Sequence, residues 1–529
     1  MHNFCARTLP VWVCLGGAII SARAQAQEAT EDQETPEAPA AGAPTPAPAD
    51  KDSVGLSPQT PQYGQEADEA RPAPASATIG GDGFKLDFQG YMRAPMRIGV
   101  GPRNDGMPGN ELHSPPRIPD GTFTNWNYLN NTPGPWAEMM FGYGNSRATM
   151  TVSIASFNQT VAGYRELQAQ QGINQAFVTV RFPDTFGRYG GLVANVGSFT
   201  NRYGTAGKYG AGMYQTYLFG RTRVAGETLT ATFNLTPNHD LVLEHGIGAK
   251  LDVIPFVKVD PRPEYLPYEG PEPQGSTFLH HAHVLWTWRK TLTLGGHYLR
   301  SWSPDDRQLA GVASAPGSMT VKGGEVRLNG GVVGDGYLGF SRVEANNVRV
   351  LSDAIEVLHS FGGWQFKNNF FGRFDPRTGT AVRDESGRVD TLLFQHSVSI
   401  GKIARYPARF WGRGPDLVAT VFGMYNRVQS DNNSHTKLKV GADLLYTPLP
   451  WLGVGGRYDL VRPDSRDAEE SFSVLSPRLQ FRTQFLAHER ITVQYSRYFL
   501  GSKAYPAFPY ETSNAADPDV FMIVASMWW

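Results

Sequence analysis

From Phe84 onward, apolar and polar residues alternate with a period of two. Phe84, Leu86, Phe88 and Met92 alternate with Lys85, Asp87, Gln89, Tyr91 and Arg93. Leu438, Val440, Ala442, Leu444 and Tyr446 alternate with Lys437, Lys439, Gly441 and Asp443, and the same rhythm runs through 452–460 and 478–485. Successive side chains of a strand point to opposite faces, so each segment predicts a strand with one greasy and one polar face. Segment starts fall near 84, 135, 146, 172, 190, 226, 240, 276, 291, 317, 332, 347, 363, 390, 414, 436, 451, 472, 489 and 518. That predicts about 20 strands, with 16–22 as the range, and an even count places both chain ends on one side of a closed sheet.

A two-faced strand suits either a soluble sheet, greasy side inward, or a membrane barrel, greasy side toward lipid. Three features favour the barrel. Trp286, Trp288, Trp364, Trp411, Trp451, Trp528 and Trp529 fall at segment ends, as interfacial girdles require. Short connections (NGGV, RKT, FGGW, TPLPW) alternate with long ones at 100–134, 254–275, 375–389 and 501–517, and the chain stops on an aromatic. The expected fold class is all-β, a transmembrane antiparallel β-barrel with a disordered N-terminal linker.

Composition agrees. Charged residues are 18% against roughly 25% for soluble proteins, while aromatics reach 12% and Gly numbers 58. No apolar run of about 20 residues follows the first 30, so spanning helices are not expected. Residues 1–26 read as a signal peptide: Arg7, the apolar stretch Val11 to Ile20, then Ala22-Arg23-Ala24 and Ala24-Gln25-Ala26 as small-x-small cleavage sites. Both cysteines, Cys5 and Cys14, lie inside it, leaving the exported chain without disulfides, thiolate nucleophiles or cysteine metal ligands. Residues 27–80, rich in Pro, Ala and Glu, read as a disordered periplasmic linker that carries ten acids against Lys51 and Arg71. The net charge of −1 therefore conceals a mildly cationic barrel at 81–529.

The candidate chemistry is that of a pore. Residues 200–225 break the alternation and crowd Arg202, Tyr203, Lys208, Tyr209, Tyr214, Tyr217, Phe219, Arg221 and Arg223 into a Gly-rich stretch. Folded into the lumen, such a loop would form a constriction; left outside, it is an extracellular loop with surface aromatics, and both readings stay open. The expected lumen-facing charges are Arg93, Arg327, Lys367, Arg373, Lys439, Arg457, Arg478, Arg482 and Arg490, sharing that face with Asp87, Glu325, Asp443 and Asp459. They either bias the pore toward anions or neutral sugars, or pair with the carboxylates to brace the wall. His280, His281, His283 and His297 cluster, but no carboxylate lies near in sequence, so they are expected as hydrated lumen or loop-base residues. No nucleophile elbow or phosphate-binding loop occurs; no catalytic residue, metal or cofactor is expected.

The final strand, Phe521 to Trp529, resembles the terminal signal of bacterial outer-membrane proteins, with Phe521, Ile523, Ala525, Met527 and Trp529 in the alternate apolar phase. Trp replaces the family's usual final Phe. The resemblance implies outer-membrane localisation and recognition by the barrel assembly machinery. Phe88-Gln89-Gly90-Tyr91-Met92-Arg93 is similar to the first strand of maltoporin-like sugar porins, and 197–219 is similar in kind to the inward-folded third loop of trimeric porins. These imply a porin-like channel for small hydrophilic solutes. The expected partners are outer-membrane lipids, the assembly machinery, solutes and a homotrimer, with no nucleic acid. A plugged structural or adhesive barrel, a polysaccharide export conduit and an outer-membrane lipid hydrolase are the alternatives.

Overall fold

In the computed structural model the described residues are 75–78, 84–100, 136–157, 170–202, 221–249, 254–255, 278–303, 317–346, 368–369, 372–375, 380–383, 387–404, 415–430, 434–462, 465–483, 488–501 and 519–529. β1 (Ala75–Thr78) folds back on β2 (Lys85–Val100), the first strand of a closed ring. Next along the chain come β3 (Trp136–Gly144), β4 (Ala148–Phe157), β5 (Gln170–Phe182), β6 (Gly190–Arg202), β7 (Arg221–Thr236) and β8 (His239–Ala249). β9 (Ile254–Pro255) only pairs on β5. The ring resumes with β10 (Phe278–Trp288), β11 (Leu292–Ser303), β12 (Gly317–Asn329) and β13 (Asp335–Asn346). β14 (Asn368–Asn369), β15 (Gly372–Asp375) and β16 (Thr380–Arg383) make a separate three-stranded sheet. β17 (Gly387–Ser399) pairs directly with β13 and leads to β18 (Asp416–Ser430), β19 (Ser434–Leu449) and β20 (Leu452–Arg462). β21 (Phe472–Thr483), β22 (His488–Leu500) and β23 (Asp519–Trp528) complete the ring, and β23 pairs with β2.

Eighteen strands thus close, all antiparallel, each bonded to the preceding and following strands of the ring. The ring passes directly from β13 to β17. Residues 347–367, with Trp364, the FGGW turn and Lys367, lie outside the described residues, and β14 to β16 beyond them belong to the small separate sheet. Eighteen is even, so both ends of the ring face the same side. β1 falls inside the span expected to be linker; residues 1–74 and 79–83 are outside the described residues.

The expected turns NGGV, RKT and TPLPW close the short-turn side, between β12 and β13, β10 and β11, and β19 and β20. Two connections depart from the rule. β18 and β19 are joined by a short link on the long-loop side. On the other side β17 runs into a helical turn, Ile400–Ile403, stapled by Asp416, which accepts from the Ser399 hydroxyl and the Gly401 N–H. No helix among the described residues is long and apolar enough to cross a membrane.

The two strand faces separate as the alternation requires. Phe394 and Leu392 on β17, Leu444 and Tyr446 on β19, Val454 and Tyr458 on β20, and Leu475, Leu479 and Phe481 on β21 are exposed on the outer face. Thr391 and Gln395, Arg457 and Asp459, and Ser476, Arg478 and Gln480 are buried on the inner one. The sheet is inside-out relative to a soluble one. Strands of 9 to 16 residues suffice, since about 9–11 tilted residues cross a hydrocarbon core.

Closure depends on one glycine. Gly90 and Trp529 exchange two backbone hydrogen bonds of 3.0 and 3.1 Å. A side chain on Gly90 would enter the Trp529 indole, which also lies against the Phe88 ring at 5.8 Å. Phe521, Ile523 and Ala525 are half-exposed on one face, opposite buried Met522, Val524 and Ser526.

Candidate pore lining

Two arcs of charge occupy the inner face. The first spans β19 to β23 and β2. Arg457 and Asp459, two apart on β20, share a face, and the guanidinium holds the carboxylate through Nε and Nη2, both at 2.7 Å. Lys439 on β19 lies 3.7 Å from the same carboxylate, and all three are 2% exposed or less. Arg457 stacks on the Phe422 ring at 4.8 Å. That ring lies over Gly441, its direct cross-strand partner, where any side chain would collide with it. Arg478 on β21 crosses β20 to reach Asp443 on β19, with two hydrogen bonds of 2.7 Å. Its direct partner on β20 is Gly455, which leaves the path clear.

Nearer the short-turn ends, Arg482 pairs with Arg490, Arg490 with Ser526, and Ser526 with Arg93 in the backbone register. Three buried guanidinium groups thus stand in one row across β21, β22, β23 and β2. Arg482 donates to Gln480 at 2.6 Å.

The second arc spans β8 to β13. His283 Nε2 lies 3.0 Å from Glu325 Oε1, and the Tyr337 hydroxyl donates to Glu325 Oε2 at 3.1 Å. His281 Nε2 is 3.5 Å from Glu244 Oε1, and Thr230 donates to the other oxygen at 3.2 Å. His297 meets Ser341 at 3.5 Å. Glycine again makes the room: Gly246 faces His281, Gly323 faces His297 and Gly295 faces Glu325. The expectation of hydrated histidines is corrected here. His281, His283 and His297 are buried, and two of them sit on carboxylates brought from strands remote in sequence. His280 points the other way, beside His245 on the outer face. Among the described residues no group of three His, Cys, Asp or Glu is arranged to hold a metal ion.

Five strands, β3 to β7, separate the arcs on one side and two, β17 and β18, on the other, so the two face each other across the ring. Toward the long-loop ends the inner face turns apolar: Leu279, Leu299, Val321, Val343, Val389, Val428, Val461 and Val474 are at most 1% exposed.

The remaining expected site residues divide. Arg327 is half-buried on the inner phase of β12 and donates to Asn329 at 3.1 Å. Arg373 is not on the ring but on β15 of the separate sheet. Arg202 ends β6 and Arg221 begins β7 as direct backbone partners, with Arg223 opposite Thr200. The expected break in alternation at 200–225 is therefore a correction: strands continue to 202 and resume at 221, because backbone pairing persists beyond the segment in which lipid enforces alternation. Tyr203, Tyr209, Tyr214 and Tyr217 lie outside the described residues.

An outward apolar belt, an inward polar lining and a closed antiparallel register define a transmembrane β-barrel of the outer-membrane type. No family model matches the sequence, and no curated protein matches it. Among solved structures, the chain is similar to OmpF of Salmonella typhi in complex with daunomycin, at 12% identity and a TM-score of 0.39, covering 85% of this chain and 99% of that one. It is similar to OpdK of Pseudomonas aeruginosa with vanillate, at 10% identity and TM-score 0.38, covering 84% and 98%. The outer membrane channel DcaP of Acinetobacter baumannii matches at 9% and 0.35, covering 86% and 100%.

Proposed function

We propose that this barrel is an outer-membrane channel for passive diffusion of small hydrophilic solutes, with a preference for anions. The observation that carries it is the pair of opposed arcs. Lys439, Arg457, Arg478, Arg482, Arg490 and Arg93 share their arc with three acids, Asp87, Asp443 and Asp459, whereas the facing arc presents Glu244 and Glu325 with Arg327 among three histidines. A wall that merely needed bracing would match bases to acids in equal number, whereas here six bases face three acids. A surplus of bases over acids on one side, absent from the other, sets up a transverse field, which orients dipolar solutes, and the basic excess raises the local anion concentration.

Arg202, Arg221 and Arg223 at the long-loop end, with Tyr203, Tyr209, Tyr214 and Tyr217 in the connection, are proposed as the constriction. The short-turn side faces the periplasm in this reading, together with the signal-processed N-terminal linker. A homotrimer is the proposed assembly. No chemistry is attributed to the barrel.

A second reading, a barrel that passes no current, draws on the inward apolar residues near the long-loop ends and their near-complete burial. Planar-bilayer recording separates the two. Stepwise conductance with a reversal potential displaced toward the anion in asymmetric KCl supports the channel. Absence of steps from protein with heat-modifiable mobility supports the closed barrel.

A further inference from the structure

We propose that the outer wall of β11, β12, β13, β17 and β18, at its long-loop end, is a binding site for the phosphate groups of an outer-leaflet membrane lipid. The site lies outside the barrel, and its orientation toward the outer leaflet rests on the topology proposed above. On each strand the outward positions change from apolar to charged in the same direction. On β11 Leu294 and Tyr298 give way to Arg300; on β12 Val326 gives way to Lys322; on β13 Leu338 and Phe340 give way to Arg342. On β17 Phe394 and Leu392 give way to Asp390 and Arg388, and on β18 Val421 and Tyr425 give way to Arg427. This transition marks where acyl chains end and headgroups begin.

The register places these charges in rows. Lys322, Arg342, Asp390 and Arg427 are successive direct partners across four strands, and Glu344 and Arg388 are partners one step further out. Lys322 and Arg342 therefore face each other directly with like charge, an arrangement that destabilises a sheet unless an anion sits between. The local carboxylates are already engaged. Lys322 Nζ lies 3.1 Å from Glu344 Oε2, while Arg342 and Arg388 share Asp390. Among the described residues no carboxylate lies within ion-pair range of Arg300 or Arg427, and Arg300 stacks on Trp302 at 5.7 Å. Five bases against two acids leave a basic excess at headgroup depth.

Elsewhere the outward bases at this depth stand singly, as Arg462 on β20 and Arg497 on β22 do. Corresponding outward positions are apolar at Met96 and Val100 on β2, Ile247 on β8 and Phe499 on β22. A phosphate-bearing lipid satisfies both halves of the surface. Its phosphates accept from the guanidinium forks, and its chains run down Leu294, Phe340, Leu392 and Phe394. A second copy of this chain would need a matching acidic outer patch. The outward acids elsewhere among the described residues are scattered, as Glu227 on β7 and Asp519, already bonded to Tyr495, illustrate.

The test uses the full-length protein in neutral detergent, titrated by native mass spectrometry with diphosphoryl lipid A, its monophosphoryl form and a neutral glycolipid of equal chain content. Inorganic phosphate serves as the headgroup-free control. Affinity should rank diphosphoryl over monophosphoryl over neutral, should fall with ionic strength, and should not be matched by inorganic phosphate. Each base at a membrane surface contributes about 5-fold, so the Arg300→Gln, Lys322→Gln, Arg427→Gln triple variant should lose on the order of 100-fold for the diphosphoryl lipid. Arg497→Gln, on β22 outside the patch, should bind as wild type. Arg427→Lys keeps the charge and should retain most affinity, which guards against a folding defect in the triple. Conductance of the triple should match wild type, keeping this test separate from the channel reading. Equal affinity for the neutral and diphosphoryl lipids overturns the proposal. So does a triple variant that binds normally, or one whose only change is loss of self-association.

Discussion

Replacing Asp459 with Asn removes the one buried carboxylate that faces both Arg457 and Lys439. In the wild type it takes two 2.7 Å hydrogen bonds from the guanidinium and has the ammonium at 3.7 Å, all of them shielded from water. Breaking a buried ion pair by removing one partner costs about 3–5 kcal/mol, because the surviving charge has left water without compensation. Asn keeps the shape and one acceptor oxygen, so the lower figure applies. About 3 kcal/mol is roughly two orders of magnitude in the unfolding equilibrium. The assay is urea unfolding of the barrel refolded into vesicles, followed by heat-modifiable mobility. Reversal potential should also move toward the anion, because the lumen loses a negative charge while the wall keeps its bases. The double variant Arg457→Gln, Asp459→Asn should recover much of the stability, and the cycle should yield a coupling of about 1–3 kcal/mol. If the single variant unfolds at the wild-type midpoint, the carboxylate is solvated and the arc is a wetted surface rather than a buried network. If stability falls but selectivity stays fixed, ions do not pass this part of the wall.

Gly90→Val should displace the Trp529 indole from its seat and lower barrel stability by about 1–3 kcal/mol, read from the urea midpoint. Trp529→Ser should leave export intact and reduce the folded fraction in the outer membrane, and wild-type yield would count against the terminal strand as an assembly signal. Changing Arg202, Arg221 and Arg223 together to Gln should reduce anion over cation permeability in a barrel of normal mobility; an unchanged reversal potential places selectivity in the wall alone. A tag at residue 60 should resist external protease in intact cells while one within 501–517 is cut, and the reverse pattern would invert the proposed topology.

The strands were legible because lipid outside and polar groups inside write a two-residue period directly into the chain, as at 438–446 and 452–460. Reading failed where that pressure lapses. At 368–383 the alternating residues that are described belong to the small separate sheet of β14 to β16, so alternation there does not mark a ring strand. At 200–225 the opposite happened, since Arg202 and Arg221 stay paired after alternation has faded. The inner network was less legible still. His283 gave no hint of Glu325, because the two meet through a register that skips β11. The available signal was glycine in the lumen phase: Gly246, Gly323, Gly441 and Gly455 each mark a neighbour whose large side chain needs the space.

The seam between β2 and β23 has a consequence for how the molecule is made. Tyr91 pairs with Trp528 across a separation on the order of 400 residues, whereas every other junction joins successive ring strands, with at most β14 to β16 intervening, between β13 and β17. Hairpins from β3 onward can form as they emerge, but the outer edge of β2 stays without its ring partner until β23 arrives. For all that time it offers a row of backbone donors and acceptors to any other strand, the situation in which sheets add foreign chains. β1, folded back along Lys85–Phe88 on that same edge, covers the stretch beyond the reach of β23 and shortens what is left open. A chain interrupted before β23 would present two unpaired edges instead of a ring, and should be found in aggregates or bound to holding chaperones rather than in the membrane.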